Sequence, residues 1–151
     1  MSLVGQTPLF IDTGAFYARV DADDINHSAA TALFDAIRSG DVPFGPMFTS
    51  QSVVSELATL VLYRIGHDDA VRVLNAIRTA GSINVLPIGQ ATFGRAAEEF
   101  ERFDDQTISF VDHTSSVLAE EREIDNIFGF DTDFRTLGFT LVPEDIDVPI
   151  A

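Results

Sequence analysis

The chain has 151 residues, no cysteine, and 24 acidic against 9 basic residues, which gives a formal net charge of −15 at pH 7. This length is typical of one domain, so we expect a single domain over residues 1–151, and the 46% content of hydrophobic residues indicates a packed core rather than disorder. Without cysteine, the chain has no disulfide, thiol nucleophile, iron–sulfur cluster or cysteine-ligated zinc.

All the basic residues are arginines, which excludes lysine Schiff-base chemistry and the lysine of a phosphate-binding P-loop. An acidic surface ordinarily repels the phosphates of nucleic acids. Acidic, lysine-free surfaces are also expected of proteins that work in molar salt, where charges are screened within about 3 Å. The composition therefore favours a halophilic protein, and an ordinary acidic protein is the alternative.

The sequence carries no signal for a membrane. No apolar run approaches the ~18 residues that a spanning helix needs, and residues 1–8 lack the basic and apolar regions of a signal peptide. We therefore expect a cytoplasmic protein with no membrane partner.

The first half of the chain predicts two strands and three helices. Residues 8–11 are an apolar run typical of a buried strand, and residues 12–14 predict a sharp loop after it. Residues 43–46 are rich in turn formers, and Ser50 is placed to cap the next helix. Residues 51–65 are apolar almost all round, which is typical of a buried helix. The predicted strands are 8–11 and 47–49, and the helices 26–38, 51–65 and 68–79.

The second half continues the alternation of strands and helices. Strands are predicted at 83–88, 127–130 and 139–142, and helices at 90–103, 108–121 and 134–137. Strands that alternate with helices indicate an α/β fold with a mostly parallel sheet.

Four carboxylates interrupt apolar segments of the chain, namely Asp12, Glu56, Asp112 and Asp131. A buried carboxylate without a partner is costly, and no arginine lies close in sequence to Asp12 or Asp112. Asp12 and Asp131 follow predicted strands, at the sheet edge where α/β proteins place their sites. For any single acid a helix cap or a surface ion pair is the alternative, but four together favour a shared cation. Oxygen-only ligands suit Mg²⁺ or Mn²⁺.

The segments around these acids resemble the four motifs of PIN-domain nucleases, and their order and spacing are most similar to VapC-type toxin ribonucleases. The first motif is an apolar strand that ends in Asp-Thr, at residues 9–15, and the second is the Glu within residues 53–57. The third is a Ser-apolar-x-Asp helix start at residues 109–119. The fourth is an Asp near a Phe, before a glycine and a final strand, at residues 130–139.

The resemblance implies a PIN-like three-layer α/β/α fold and a site for one or two Mg²⁺ or Mn²⁺ ions. It implies that the ions are held by four catalytic acids: Asp12, Glu56, Asp112 and Asp131. Asp133 would add a ligand. Thr13 and Ser109 would orient water or a ligand carboxylate, with a turn hydroxyl and a helix cap as the alternatives. Arg19 and Arg64 are weaker candidates for binding RNA, and a solvated charge is the alternative for each.

The function implied by the resemblance is metal-dependent endonucleolytic cleavage of single-stranded RNA, by a toxin that a small antitoxin neutralises. Since the helix at 51–65 and the one after it offer more apolar surface than one small core requires, we also expect a homodimer formed through them. Two alternatives stay open. One is an inactive PIN-fold binding module, and the other is a metal-dependent phosphatase that acts on small molecules.

Overall fold

A computed structural model describes residues 6–147, which fold around a five-stranded sheet in the order β3-β2-β1-β4-β5. Every adjacent pair of these described strands is parallel, so the sheet is all-parallel where the sequence predicted a mostly parallel one. The strands are β1 (Thr7–Ile11), β2 (Phe44–Ser50), β3 (Ile83–Leu86), β4 (Asn126–Phe128) and β5 (Thr140–Val142).

Within residues 6–147, seven helices connect the strands. They are α1 (Thr13–Val20), α2 (His27–Ser39), α3 (Gln51–Arg64), α4 (His67–Thr79), α5 (Gln90–Arg102), α6 (Phe110–Glu121) and α7 (Asp133–Thr136). Right-handed connections place α1 to α4 on one face of the sheet and α5 to α7 on the other. The contacts agree, because α1 packs on α2 and α3, while α6 packs on α5 and α7. The predicted three-layer α/β/α fold is confirmed.

The core lies on both faces of the central strand. Leu9, Phe10 and Ile11 in β1 are fully buried, as a strand covered by helices on both faces requires. The Phe34 ring of α2 lies 4.7 Å from the Phe128 ring of β4, measured between centroids. This contact fixes the first helical layer to the strand beside β1. None of the described helices has the length and apolar character needed to cross a membrane.

The predicted loop at residues 12–14 is wrong, because α1 begins at Thr13, directly after the strand. Gly14 follows the N-cap position of Asp12, where the cost of glycine in a helix is offset by the packing of the residues that follow. Ala15, Phe16 and Tyr17 are all buried against the core. Tertiary packing therefore forms a helix where local sequence signals indicated a turn.

The predicted turn at residues 43–46 is also wrong, since β2 begins at Phe44. The pairing of β1 with β2 shifts register between Thr7 and Leu9, where three residues of β2 span two of β1. Such a bulge accommodates Pro46, which cannot donate a hydrogen bond to the sheet. The cap predicted at Ser50 is confirmed, because its Oγ accepts a hydrogen bond from the Val53 N–H at 3.0 Å.

The helix predicted to be buried almost all round has an exposed face. Val53, Leu57 and Val61 of α3 pack into the core, but Leu62 is 41% and Tyr63 82% exposed. The apolar residues of α3 therefore exceed what the sheet and α4 cover. The other predicted elements are present, with boundaries close to those predicted.

Candidate metal centre

Two acidic residues, Asp12 and Asp131, follow the neighbouring parallel strands β1 and β4. The order in which successive strands are added to the sheet reverses between these two strands. Ile11 at the end of β1 pairs in register with Phe128 at the end of β4. Asp12 follows directly, and its N–H donates to the Phe128 carbonyl at 2.9 Å. From β1 the chain runs outward to β2 and β3 and then returns to the other side of β1 at β4, so a crevice opens between these two strand ends.

A glycine allows the segment after β4 to pass close to Asp12. A Cβ built at Gly129 would lie 3.1 Å from the Asp12 Cβ, which is closer than the ~3.5–4.0 Å of good carbon–carbon contact. Any larger residue at this position would displace the Asp12 side chain. From Gly129 the chain continues through Phe130 to Asp131.

The third acid is positioned by the start of α6. Ser109 is the N-cap residue, and its Oγ accepts a hydrogen bond from the Asp112 N–H at 3.1 Å. Asp112 is only 6% exposed, so its carboxylate lies in a largely dry environment. Ser109 therefore acts as a helix cap, which is the alternative to its orienting water or a ligand. The cap stabilises the first turn of α6, which carries Asp112.

Asp131 and Asp133 complete a compact group with Asp112. The Asp133 N–H donates to Asp131 Oδ1 at 2.9 Å, which fixes the short segment before α7. One carboxylate oxygen from each of Asp112, Asp131 and Asp133 lies within 4.8 Å of the other two. Three negative charges at this separation repel unless a cation or protons lie between them.

Glu56 reaches the same site from the middle of α3. Thr13 Oγ1 donates a hydrogen bond to Glu56 Oε1 at 2.5 Å, which links α1 to α3. Glu56 and Asp131 are both exposed, so the argument from the cost of a buried carboxylate does not apply to these two. Asp12 and Asp112 alone of the four are buried, because α3 and the segment after β4 pass the cleft at its open rim.

All five predicted acids and both predicted hydroxyls line one cleft of about 370 Å³. Its lining is Asp12, Thr13, Gly14, Glu56, Thr107, Ser109, Asp112, Asp131 and Asp133. No arginine is among these described residues, so the cleft concentrates negative charge without a protein cation to balance it. Thr107 is the lining residue that the sequence analysis missed, although it lies only two positions before Ser109.

Burial and repulsion by neighbouring carboxylates raise the pKa of three of these acids, Asp12, Asp112 and Asp133. The pKa of the Asp12 carboxyl is raised from 3.8 to about 7, chiefly by burial and further by repulsion from Glu56 and Asp131. Burial also raises the pKa of Asp112 to about 8, with further repulsion from Asp12 and Asp131. The pKa of Asp133 is raised by burial and by Asp131.

The donor set fits a divalent cation. Asp12 Oδ1 is buried and accepts no hydrogen bond from the described residues, so this oxygen is free to bind a cation. The side-chain donors in the cleft are carboxylate and hydroxyl oxygens, which suit Mg²⁺ or Mn²⁺ better than zinc or copper. Asp12, Asp112, Asp131, Asp133 and Glu56 are the residues that would hold such an ion.

Residues 9–140 match the model of the PIN domain family. The chain belongs to the PIN domain family. The match spans β1 to the start of β5 and so contains every acid of the cleft.

Curated relatives of this PIN domain are ribonucleases of Mycobacterium tuberculosis. The chain is 33% identical over 134 residues to the 23S rRNA-specific endonuclease VapC20, and the match covers 89% of this chain and 97% of VapC20. It is 30% identical over 142 residues to ribonuclease VapC26, covering 89% of this chain and all of that protein. The crystal structure of VapC20, described as a sarcin–ricin loop cleaving toxin, superposes with a TM-score of 0.79 at 32% identity and covers 87% of this chain and 96% of VapC20.

The two arginines considered for RNA binding lie outside the acidic cleft of this PIN domain. Arg19 stacks over the Phe34 ring, 4.8 Å from its centroid, and lines a separate groove between α1, α2 and α4. Arg64 lies over the Tyr17 ring at 5.2 Å and lines a groove that Glu56 shares with the cleft. Of the two, Arg64 alone borders a cavity that adjoins the acids.

Proposed function

We propose that this PIN domain is a metal-dependent endoribonuclease that cleaves phosphodiester bonds in single-stranded RNA, as the toxin of a toxin–antitoxin pair. The observation that carries the proposal is the convergence of five carboxylates from four segments on one cleft, whose described lining contains no arginine. A structural role would not require like charges to be collected in this way, because each costs free energy in the absence of a cation.

The chain's own residues supply the ligands and their alignment. Asp12 and Asp112 are the buried ligands, and Asp131, Asp133 and Glu56 close the site from its rim. Bound Mg²⁺ or Mn²⁺ would lower the pKa of a water to generate hydroxide and would stabilise the charge that develops on the phosphate. Thr13 orients the Glu56 carboxylate through its 2.5 Å hydrogen bond.

RNA is the proposed substrate because of the relatives. VapC20 is named a 23S rRNA-specific endonuclease and VapC26 a ribonuclease, and the chain is at least 30% identical to each over nearly its full length. The VapC20 structure is that of a toxin, so a small antitoxin protein is the partner we propose for this chain.

The decisive experiment is an RNA cleavage assay at high KCl. Purified protein is incubated with single-stranded and structured RNA in Mn²⁺, Mg²⁺ or EDTA, alongside Asp12→Asn and Asp112→Asn. The wild type is expected to cut with metal and not with EDTA, and both variants to fall to the EDTA background. The matched control is Asp125→Asn, which removes an exposed acid outside the cleft and should cut like the wild type.

Cleavage that persists in both site variants would refute this assignment. Hydrolysis of p-nitrophenyl phosphate without RNA cleavage would instead favour the phosphatase alternative. A protein that binds Mn²⁺ at the acids but cuts neither substrate would favour the inactive binding module.

We also propose a homodimer formed through α3 and α4. Leu62, Ile65 and Val71 at the junction of these helices are each about two-fifths exposed, at 41%, 40% and 41%. Exposed apolar side chains on both helices of an acidic chain favour a protein contact through them. Light scattering is expected to give twice the chain mass, and Leu62→Ser with Val71→Ser to give one chain mass. A wild-type mass equal to one chain would contradict the dimer.

A further inference from the structure

A second groove adjoins the acidic cleft and has a different chemical character. It encloses about 740 Å³ between α3, α5 and α6, and Glu56 lines both the groove and the cleft. From Glu56 the groove follows one face of α3, past Thr59, to Tyr63 and Arg64. Seven residues of helix separate Glu56 from Tyr63, so the far end lies about 10 Å along the helix from the acids.

Two exposed aromatic rings line this groove. Tyr63 is 82% exposed and Phe93 of α5 is 55% exposed. The Phe93 ring packs against Phe110 of α6, with centroids 5.2 Å apart and the rings at 65°. Phe110 therefore supports Phe93 from one side, while the rest of the ring is left accessible.

Of the described residues that line the groove or the cleft, Arg64 is the single basic one. Its guanidinium lies 5.2 Å from the centroid of the Tyr17 ring, which holds the long side chain against α1. Within residues 6–147 it forms no ion pair with an acid at 4.0 Å or less. Arg64 also interacts electrostatically with Asp21, and its guanidinium places a positive charge at this end of the groove that an anionic group of a ligand can reach.

These features suit the base of a nucleotide better than a second phosphate. A chain with a net charge of −15 attracts RNA poorly through charge, and at high salt the release of counterions adds little affinity. Stacking of bases on aromatic side chains is the other main source of affinity for single strands, and it does not depend on net charge. The serine and threonine side chains that line the groove offer hydrogen bonds to a base edge or a ribose.

We propose that this groove is a nucleobase subsite, in which an unstacked base of the RNA next to the scissile phosphate stacks on Tyr63 and Phe93 while Arg64 contacts a neighbouring phosphate. The inference rests on the proposed ribonuclease function and specifies how that site selects single-stranded RNA. The apolar residues assigned to the dimer contact, Leu62, Ile65 and Val71, do not line the groove.

The test is a binding measurement with a defined probe. A short oligouridylate that carries one 2-aminopurine is titrated into Asp112→Asn protein with Mn²⁺, so that binding is separated from cleavage. Stacking quenches the probe's fluorescence. When Tyr63→Ala or Phe93→Ala is introduced into this Asp112→Asn protein, each is expected to weaken binding of the oligonucleotide about 5- to 150-fold and to reduce the quenching. Tyr63→Phe keeps the aromatic ring and should retain both the affinity for the oligonucleotide and the quenching.

Phe100→Ala is the matched control. Phe100 is on the same helix as Phe93, is 50% exposed, and packs edge-on against Phe110 with centroids 5.8 Å apart, but it does not line the groove. The dissociation constant of the Phe100→Ala variant for the probe should lie within about two-fold of that of the parent protein, on the order of the error of such assays. Raising KCl should weaken the effect of Arg64→Gln and leave that of Phe93→Ala unchanged.

The outcomes distinguish this inference from the proposed function. If wild-type protein cuts RNA but Tyr63→Ala and Phe93→Ala bind and quench like Phe100→Ala, the function stands and the subsite is refuted. If wild-type protein cuts no RNA yet quenches the probe in a Phe93-dependent way, the subsite stands without the function. If the same variants change the mass in light scattering from two chains to one, the groove is a self-association surface and the subsite is refuted.

Discussion

Asp12 shows how a single residue joins the fold to the chemistry. It directly follows the central strand, occupies the N-cap position of α1, and lies so close to Gly129 that a Cβ there would be 3.1 Å from its own Cβ. Its Oδ1 is buried and has no hydrogen-bond partner within residues 6–147, so the carboxylate is destabilised when no cation is present. The residue that anchors the site therefore lowers the stability of the metal-free protein.

The metal-free protein is expected to lose stability as pH rises from about 4 to about 8. The pKa of Asp12 is about 7 and that of Asp112 about 8 in the folded chain, against 3.8 for an ordinary aspartate. In that window the folded state binds more protons than the unfolded state, so the free energy of unfolding falls with rising pH. Asp12→Asn and Asp112→Asn should each raise the melting temperature in EDTA at pH 8 and flatten its pH dependence.

Thermal unfolding in EDTA between pH 5 and pH 8 measures this effect. Asp125→Asn removes one negative charge outside the cleft and controls for the general repulsion of an acidic chain. A wild-type slope no steeper than that of Asp12→Asn would show that these acids ionise freely. Millimolar Mn²⁺ should stabilise the wild type more at pH 8 than at pH 5, because the ion competes with protons for the same carboxylates.

Thr13 is expected to matter for activity more than for stability. Its hydroxyl donates to Glu56 at 2.5 Å, and Thr13→Val removes this hydrogen bond while the side chain keeps its shape. Loss of a partner that orients a metal ligand typically costs about 10- to 100-fold in activity or metal affinity. We expect kcat/KM on RNA to fall in that range, with the melting temperature nearly unchanged.

Thr13→Ser keeps the hydroxyl and should recover most of the activity. If Thr13→Val and Thr13→Ser are equally active, Glu56 is held without this hydrogen bond.

At the scale of elements, the start of α6 supports the site through its cap. Ser109 accepts the Asp112 N–H, so the hydroxyl satisfies a backbone donor that the helix leaves free. Ser109→Ala is expected to lower the free energy of unfolding by about 1 kcal/mol, measured by urea denaturation. Ser109→Asp restores an acceptor and should recover the cap, but it adds a charge to the cleft, so Ser109→Asn is the better control. Equal stability of Ser109→Ala and the wild type would mean that water replaces the cap.

The sequence predicts strands and helices well where apolar periodicity is strong, and it identifies the acids because each interrupts an apolar segment. It fails for α1, since Gly14 after Asp12 is a local turn signal that packing of Phe16 and Tyr17 overrides. It also fails for the exposed side of α3. Periodicity locates an apolar face but does not say how much of that face a neighbour covers.

The groove beside the cleft lies beyond what the sequence predicts. Tyr63 and Phe93 belong to different helices, and only the packing of α3 near α5 and α6 brings them to one cavity. Thr107 is a similar case, because a threonine in a polar turn carries no signal of its own. Contacts between distant segments are the part of a site that a single sequence does not specify.

At the scale of the whole molecule, the charge distribution predicts a dependence on salt. A net charge of −15 on a chain of this size causes repulsion throughout the folded state. Raising KCl from 0.1 M to 1 M shortens the screening length from about 10 Å to about 3 Å. The melting temperature is therefore expected to rise with KCl and to rise less with sucrose at equal osmolality. Equal effects of the two solutes would contradict a charge-based explanation.

The pairing of β1 with β4 has a consequence for the timing of synthesis. Asp12 follows β1 and Asp131 follows β4, which lies far later in the chain, and the cleft contains both acids. In a growing polypeptide that does not yet include β4, one edge of β1 has no strand to pair with. Such a polypeptide also lacks part of the set of acids. The complete set of acids is therefore present only after β4 and the segment that follows it have been made, so the metal centre cannot form on a nascent chain that ends before Asp131.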